Sequence, residues 1–335
     1  MSRAFDVVIV PDFLCAESAT FEARTLLFLA SWLANEGRGR NFPLHLACIG
    51  APPPSVCRLA EKARASITVH PPVGAELWGS ANKLRGLEIH GREDRVLLLD
   101  ADVLVLSDFS ALADMGRCIA AAPANTLQIP EPYWRRIYPA LGMEPPDERI
   151  ACVRGELEND PRSSSMYPYY NSGVLFLPWG CELRPIWEEH IRRIASLFNE
   201  RDEIWQAVAY EDQAGLAPAI ELLRRKGVPF VRLPAAFNAN WLYMYRRELP
   251  IKEIKLFHAF GLFRRMTEGV HALGRELGRY RTRLIQSLIH ESKRDRFFGR
   301  ARRLLPAVVD ACVLSHALRR CYRRDVAGLL AGAVE

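Results

Sequence analysis

The junction between Val96-Leu97-Leu98-Leu99 and Asp100-Ala101-Asp102 constrains this chain more than any other stretch. An apolar run with no polar alternation predicts a short strand buried on both faces, as in a parallel sheet covered by helices. That strand ends in two carboxylates one residue apart. Unpaired carboxylates near a core are costly, and a divalent cation offsets the cost. Hard oxygen ligands suit Mg²⁺ or Mn²⁺, cations that often also hold a diphosphate. From the triplet alone, two solvated loop aspartates would read the same way.

The flanking sequence supplies the sheet. Phe5–Val10, Leu44–Ile49 and Ile67–His70 read as strands, and Phe21 to Leu33, Val56–Ala65 and Ala81–Ile89 as the helices between them. Such alternation implies βαβ units and a parallel sheet. Ligands of these sheets bind beyond the carboxyl ends of the strands, where Asp100 and Asp102 fall. Past Ser107 the pattern loosens. Residues 130–168 read as a long excursion over the site. Val174–Leu177, Phe230–Leu233 and Lys255–His258 read as strands, and Trp187–Phe198 and Asp212–Leu223 as helices.

At 335 residues the chain is long enough for one large domain or two smaller ones. The eight cysteines are scattered and form no Cys-x-x-Cys pair, which argues against a zinc ribbon and fits a reducing cytosol. Phe5–Val10 is too short for the apolar core of a leader, and no apolar run reaches the roughly 18 residues of a membrane span; a cytoplasmic location is expected. The net charge of +6 is uneven: residues 271–335 hold 14 Lys and Arg against 6 Asp and Glu, so the first 270 residues carry −2. The basic character belongs to the C-terminal stretch.

Four other places carry polar residues that packing does not require. Tyr169-Tyr170-Asn171-Ser172-Gly173 precedes a strand and, taken alone, reads as a turn. Glu211-Asp212-Gln213 opens a helix and also suits an ordinary acidic N-terminus. Asn238 and Asn240 lie in another turn-like segment. His258 closes an apolar run; imidazole can ligate Mn²⁺ beside carboxylates, though a single His there also suits a hydrogen-bonded core. Apart from these four, Lys83 precedes the Asp-x-Asp strand and could reach a phosphate, though it also reads as an ordinary solvated lysine.

In this order, Asn82-Lys83-Leu84, Asp100-Ala-Asp102, Asn171-Ser-Gly173, Glu211-Asp212-Gln213, Leu233-Pro234…Phe237-Asn238 and His258-Ala-Phe-Gly261 resemble family 8 glycosyltransferases, the glycogenin and lipopolysaccharide-galactosyltransferase group. The resemblance covers roughly residues 5–265. It implies a GT-A fold over residues 1–267, an α/β domain with a mixed central sheet and helices on both faces, followed by a basic, mainly helical extension over 268–335. It implies hexosyl transfer, with retention, from a nucleoside-diphosphate sugar, a UDP-hexose by resemblance, to the hydroxyl of a glycan or glycolipid. Asp100, Asp102 and His258 would bind Mn²⁺ or Mg²⁺, and Asp100, Lys83, Gly261 and Arg264 would face the donor diphosphate. Asp12 and Phe13 would hold base and ribose, and Asn171, Asp212 and Gln213 the transferred sugar. Two departures stand out. The closing motif has Arg264 where the family has Lys, with no Pro-Trp after it, and Val10-Pro11-Asp12-Phe13 lacks the family's polar run.

Rival readings are weaker. A haloacid-dehalogenase-like phosphatase places Asp-x-Asp after its first strand, and a sugar nucleotidyltransferase carries a glycine-rich loop where Val10–Thr20 has no glycine. A non-catalytic nucleotide-sugar or glycan-binding protein would not need both aspartates and His258. In the extension, Leu284, Ile285, Leu288 and Ile289 form an apolar stripe among arginines. Such a helix can pack on the catalytic domain or lie on an anionic bilayer at the inner face of the membrane. Nucleic acid is not expected as a partner, because the body of the chain is slightly acidic.

Overall fold

Alternate residues of the central strands enter two cores. The computed structural model describes residues 5–16, 18–34, 42–74, 79–89, 91, 93–125, 129–153, 167–198, 211–240, 249 and 251–258. In β1 (Asp6–Ile9) and β4 (Arg95–Leu99), Val8, Val96 and Leu98 join one hydrophobic cluster, and Val7, Ile9, Leu97 and Leu99 join the other. This is the period-two signature of a sheet covered on both faces. The second cluster is closed by α1 (Ser18–Ala34) and α2 (Pro54–Lys62). The first is closed by α3 (Glu131–Ala140), α4 (Leu183–Leu197) and α5 (Glu211–Arg225).

With β2 (Leu44–Ile49), β3 (Ser66–His70), β6 (Ile119–Pro123), β7 (Tyr170–Pro178) and β8 (Phe230–Arg232), the main sheet runs β3-β2-β1-β4-β7-β6-β8. The strands from β3 to β4 are parallel, whereas β7 is antiparallel to both β4 and β6, and β6 and β8 are parallel. The parallel pairing read from the strand–helix alternation holds for β1 to β4, and the sheet as a whole is mixed, as the family resemblance implies. This is the α/β class expected of a GT-A domain. A second sheet pairs the short strands β5 (Val103–Val105) and β9 (Leu256–His258) antiparallel, with Val103 opposite His258.

Three local expectations also change. The helix read over Ala81–Ile89 is a 3-10 helix, Gly79–Leu87, lying flat on the sheet where a Cβ on Gly86 would come within 2.6 Å of Leu98. The excursion over 130–168 contains α3, whose Trp134, Ile137 and Tyr138 are buried. Tyr170–Gly173 are not a turn before β7 but its first residues. The pairing of β6 with β7 passes from Ala121–Leu175 directly to Ala122–Asn171, which leaves Ser172–Val174 as a bulge. Bulges re-aim side chains and recur beside functional sites.

Candidate active site

The carboxyl end of β4 turns through Asp100-Ala101-Asp102 into β5, with the Val103 N–H on the Asp100 carbonyl at 3.1 Å. Because β5 pairs with β9, His258 arrives beside that turn. Its Nε2 lies 3.2 Å from Asp102 Oδ1 and 3.7 Å from Asp100 Oδ2. One ligand atom from each of the three residues falls within 4.8 Å of the others. Asp102 and His258 are buried and Asp100 is half-buried.

Asp102 Oδ1 is fully buried, and His258 Nε2 at 3.2 Å is its ion-pair neighbour. Buried carboxylates need a compensating charge, and two carboxylates with an imidazole form a donor set suited to Mn²⁺ or Mg²⁺, so these residues fit a divalent cation. Their charges also act on one another. Burial alone would raise the Asp102 pKa, but His258 foremost, then Arg24 and Lys83, outweigh it and hold it well below the usual carboxylate range. Burial alone would lower that of His258, but Asp102 and then Asp100 hold it above the ordinary imidazole value.

Lys83, on the 3-10 helix, bridges the cluster to α5. Its Nζ lies 2.8 Å from Asp100 Oδ1, 2.9 Å from Asp212 Oδ2 and 2.7 Å from Ser172 Oγ. An ammonium has three N–H donors, and here they meet three acceptors. Burial would favour the neutral amine, yet Asp100 and Asp212 outweigh it and keep the Lys83 pKa above the ordinary lysine value. Ser172 in turn donates to Asp212 Oδ2 at 2.5 Å, and Trp187 Nε1 donates to the Asp212 carbonyl at 2.6 Å. Asp212 is therefore a buried, fixed carboxylate facing the cluster across Lys83.

Among the remaining expected residues, Asn171, Gln213, Asp12 and Phe13 are described. Asn171 Oδ1 accepts from the Gly173 N–H at 2.9 Å and from Asn238 Nδ2 at 3.1 Å. Gln213 is half-buried beside Asp212. At the end of β1, Asp12 accepts from the Leu14 and Cys15 N–H groups and from Asn82 Nδ2 at 2.8 Å, so its carboxylate ties this loop to the 3-10 helix. Phe13 is half-buried against the core under α1 and α2. Gly261, Arg264 and the extension from 268 lie outside the described residues.

The sequence reading gave no separate role to three residues that the structure places here. Ser172 sits between Lys83 and Asp212; its signal was the polar Asn-Ser-Gly run against a strand. Asn238, read as part of a turn, lies in a segment whose Ala239 bridges to Phe257 of β9. Arg24 on α1 adds positive charge near Asp102, and no local pattern marked it.

Solved structures similar to the chain include the glycosyltransferase GlyE of Streptococcus pneumoniae TIGR4 (14% identity, covering 76% of this chain and 54% of that chain, TM-score 0.44). Others are the galactosyltransferase LgtC in complex with donor and acceptor sugar analogs (16%, 76% and 86%, TM-score 0.46) and mouse xyloside xylosyltransferase 1 in its apo form (14%, 76% and 97%, TM-score 0.41). The chain thus spans about half, 54%, of the length of GlyE. No curated protein matches the chain in sequence. The family described as the Rhodobacterales glycosyltransferase domain matches residues 13–224, more than half of the chain. Asp100, Asp102, Lys83, Asn171 and Asp212 fall inside that span and His258 beyond it, and the chain belongs to this Rhodobacterales glycosyltransferase domain family.

Proposed function

We propose that the protein transfers a hexosyl group from a nucleoside-diphosphate sugar, a UDP-hexose by resemblance, to an acceptor hydroxyl with retention, and that it requires Mn²⁺ or Mg²⁺. The observation that carries this reading is the meeting of Asp100, Asp102 and His258, from segments far apart in the chain, with one ligand atom from each within 4.8 Å of the others. These three residues would hold the cation. When bound, it supplies a positive charge for the diphosphate on which negative charge grows as the glycosidic bond breaks.

The chain's own residues supply the rest. Asp212, held by Lys83 and Ser172, is the carboxylate for the sugar, with Asn171 and Gln213 beside it. Asp12 and Phe13 shape the loop for base and ribose. Lys83 joins Asp100 to Asp212, so it links the diphosphate end of the site to the sugar end. Arg264 and Gly261 belong to the donor side of the proposal on the family resemblance. The acceptor is a glycan or glycolipid. The basic extension over 268–335, a unit separate from the catalytic domain over 1–267, supports contact with an anionic inner-membrane surface from the cytoplasmic side.

The test is donor hydrolysis by purified protein against a panel of nucleotide sugars, with Mn²⁺ and with chelator. Slow hydrolysis of one donor only in the presence of metal is expected. Full-strength nucleotide-sugar binding in excess chelator, measured by calorimetry, refutes the metal requirement. Metal-dependent binding without turnover of any donor assigns the chain to the non-catalytic alternative.

A further inference from the structure

Within the β7 bulge, the Gly173 N–H donates to Asn171 Oδ1 at 2.9 Å. The same oxygen accepts from Asn238 Nδ2 at 3.1 Å. Two donors therefore define which end of the Asn171 amide is which. Its oxygen is committed to the protein, and neither N–H of its Nδ2 is engaged among the described residues. Both Asn171 and Asn238 are buried. Without the second donor the amide would keep a single bond to its own strand, two residues along the chain.

Asn238 is itself held firmly. Its N–H bonds the Ala235 carbonyl at 3.2 Å, the Ala239 N–H bonds the Leu256 carbonyl at 3.1 Å, and Asn240 Nδ2 donates to Asn125 Oδ1. The Ala239 carbonyl accepts from the His258 N–H at 2.7 Å. Residues 238–240 thus touch both halves of the site: the backbone of Ala239 places His258, and the side chain of Asn238 places Asn171.

We infer that Asn238 is a positioning residue for the sugar subsite, acting through Asn171: by occupying the amide oxygen it holds the two Nδ2 donors of Asn171 ready for hydroxyl groups of the transferred sugar. This rests on the proposed donor reading, in which Asn171 faces the sugar. Nothing in it concerns the cation, so sugar positioning and metal binding separate experimentally.

The experiment compares Asn238→Asp, Asn238→Ala and Asn238→Ser with the unaltered protein in metal-dependent donor hydrolysis. Mn²⁺ affinity by calorimetry, thermal stability and hydrogen exchange at the Gly173 amide are measured on the same samples. Asn238→Asp sets an acceptor against the Asn171 oxygen, and Asn238→Ala removes the donor. Both are expected to lower kcat by about tenfold or more, the scale of a misplaced contact group, with donor KM and Mn²⁺ affinity within about twofold. Asn238→Ser retains a donor and is expected to recover part of kcat. Exchange at Gly173 is expected to rise in Asn238→Asp, whether or not hydrolysis is measurable, because the Asn171 oxygen is driven from its place.

Unchanged kcat in both Asp and Ala variants overturns the inference. So does a loss of Mn²⁺ affinity in step with kcat, which would make Asn238 a support for His258. Unchanged Gly173 exchange in Asn238→Asp overturns it as well. Absence of hydrolysis for every donor in the unaltered protein is a failure of the proposed function, and the exchange result still decides whether Asn238 holds the Asn171 amide.

Discussion

The imidazole of His258 fills the space that a side chain at Gly173 would need. A Cβ built there would lie 2.7 Å from Nδ1 and 2.8 Å from Nε2, and closer still to Cε1. Gly173 also binds Asp100 through its carbonyl, which accepts from the Asp100 N–H at 2.9 Å. One residue of the β7 bulge therefore sets the distance between two of the three candidate metal ligands.

Gly173→Ala is accordingly expected to displace the His258 ring and lower Mn²⁺ affinity by at least tenfold, on the order of 1.4 kcal/mol. Overpacking a buried site of this kind costs about 1–3 kcal/mol of stability, so the variant should remain folded. Calorimetry with Mn²⁺ beside a thermal melt checks both. Unchanged affinity would show that His258 is not a ligand.

Asp102→Asn is expected to abolish metal-dependent donor binding while the protein keeps its fold. The side chain keeps its shape, and an amide oxygen is a weaker ligand than a carboxylate. Circular dichroism should be unchanged while the calorimetric signal for nucleotide sugar with Mn²⁺ disappears. Retained metal-dependent binding would move the cation elsewhere.

Lys83→Met removes the cation shared by Asp100 and Asp212 at 2.8 and 2.9 Å. Breaking a buried ion pair from one side typically costs about 3–5 kcal/mol, so metal-free protein should melt at a lower temperature. Mn²⁺ restores positive charge beside Asp100, so it should recover part of the loss and give the variant a larger metal-induced shift than the unaltered protein shows. Equal shifts in both would mean that Lys83 and the cation do not share Asp100.

His190 on α4 provides a pH test away from the site. Burial pushes its pKa down to about 4, against a smaller upward pull from a hydrogen bond to the Gly215 backbone. The unfolded chain binds the proton first as pH falls, so His190 contributes stability above about pH 6.5 that is lost progressively toward pH 4, up to roughly 3 kcal/mol. His190→Gln should flatten the fall in stability between pH 6.5 and 4 in denaturant titrations. An unaltered slope would refute the assignment.

Liposome co-sedimentation tests the basic extension. Binding to anionic but not neutral vesicles, lost on truncation after Glu268, is expected if the extension lies on a membrane. Equal recovery on both vesicle types, or no loss on truncation, returns it to a packing role.

The four parallel strands are legible in the sequence, because their apolar runs and the helical segments between them carry their own periodicity. The sequence also located Asp100 and Asp102, since carboxylates ending a buried strand are visible without knowing what they face. Helices α4 and α5 were legible for the same local reason. Strand β6 was not: Ile-Ala-Ala-Ala-Pro has little intrinsic preference for a strand and is held by its neighbours β7 and β8.

The reversal of β7, its bulge, and the pairing of β5 with β9 arise from long-range packing. Each joins segments far apart in the chain, and local propensity carries no information about which distant strand supplies the partner. His258 is a ligand candidate because β9 lies against β5, and Lys83 meets Asp212 because the 3-10 helix and α5 pack on the same face of the sheet. Asn238 gained its meaning last. An Asn beside a turn is ordinary in sequence, and only the bulge, where the Gly173 N–H donates to the Asn171 side chain, makes the Asn171 oxygen the point where these segments meet.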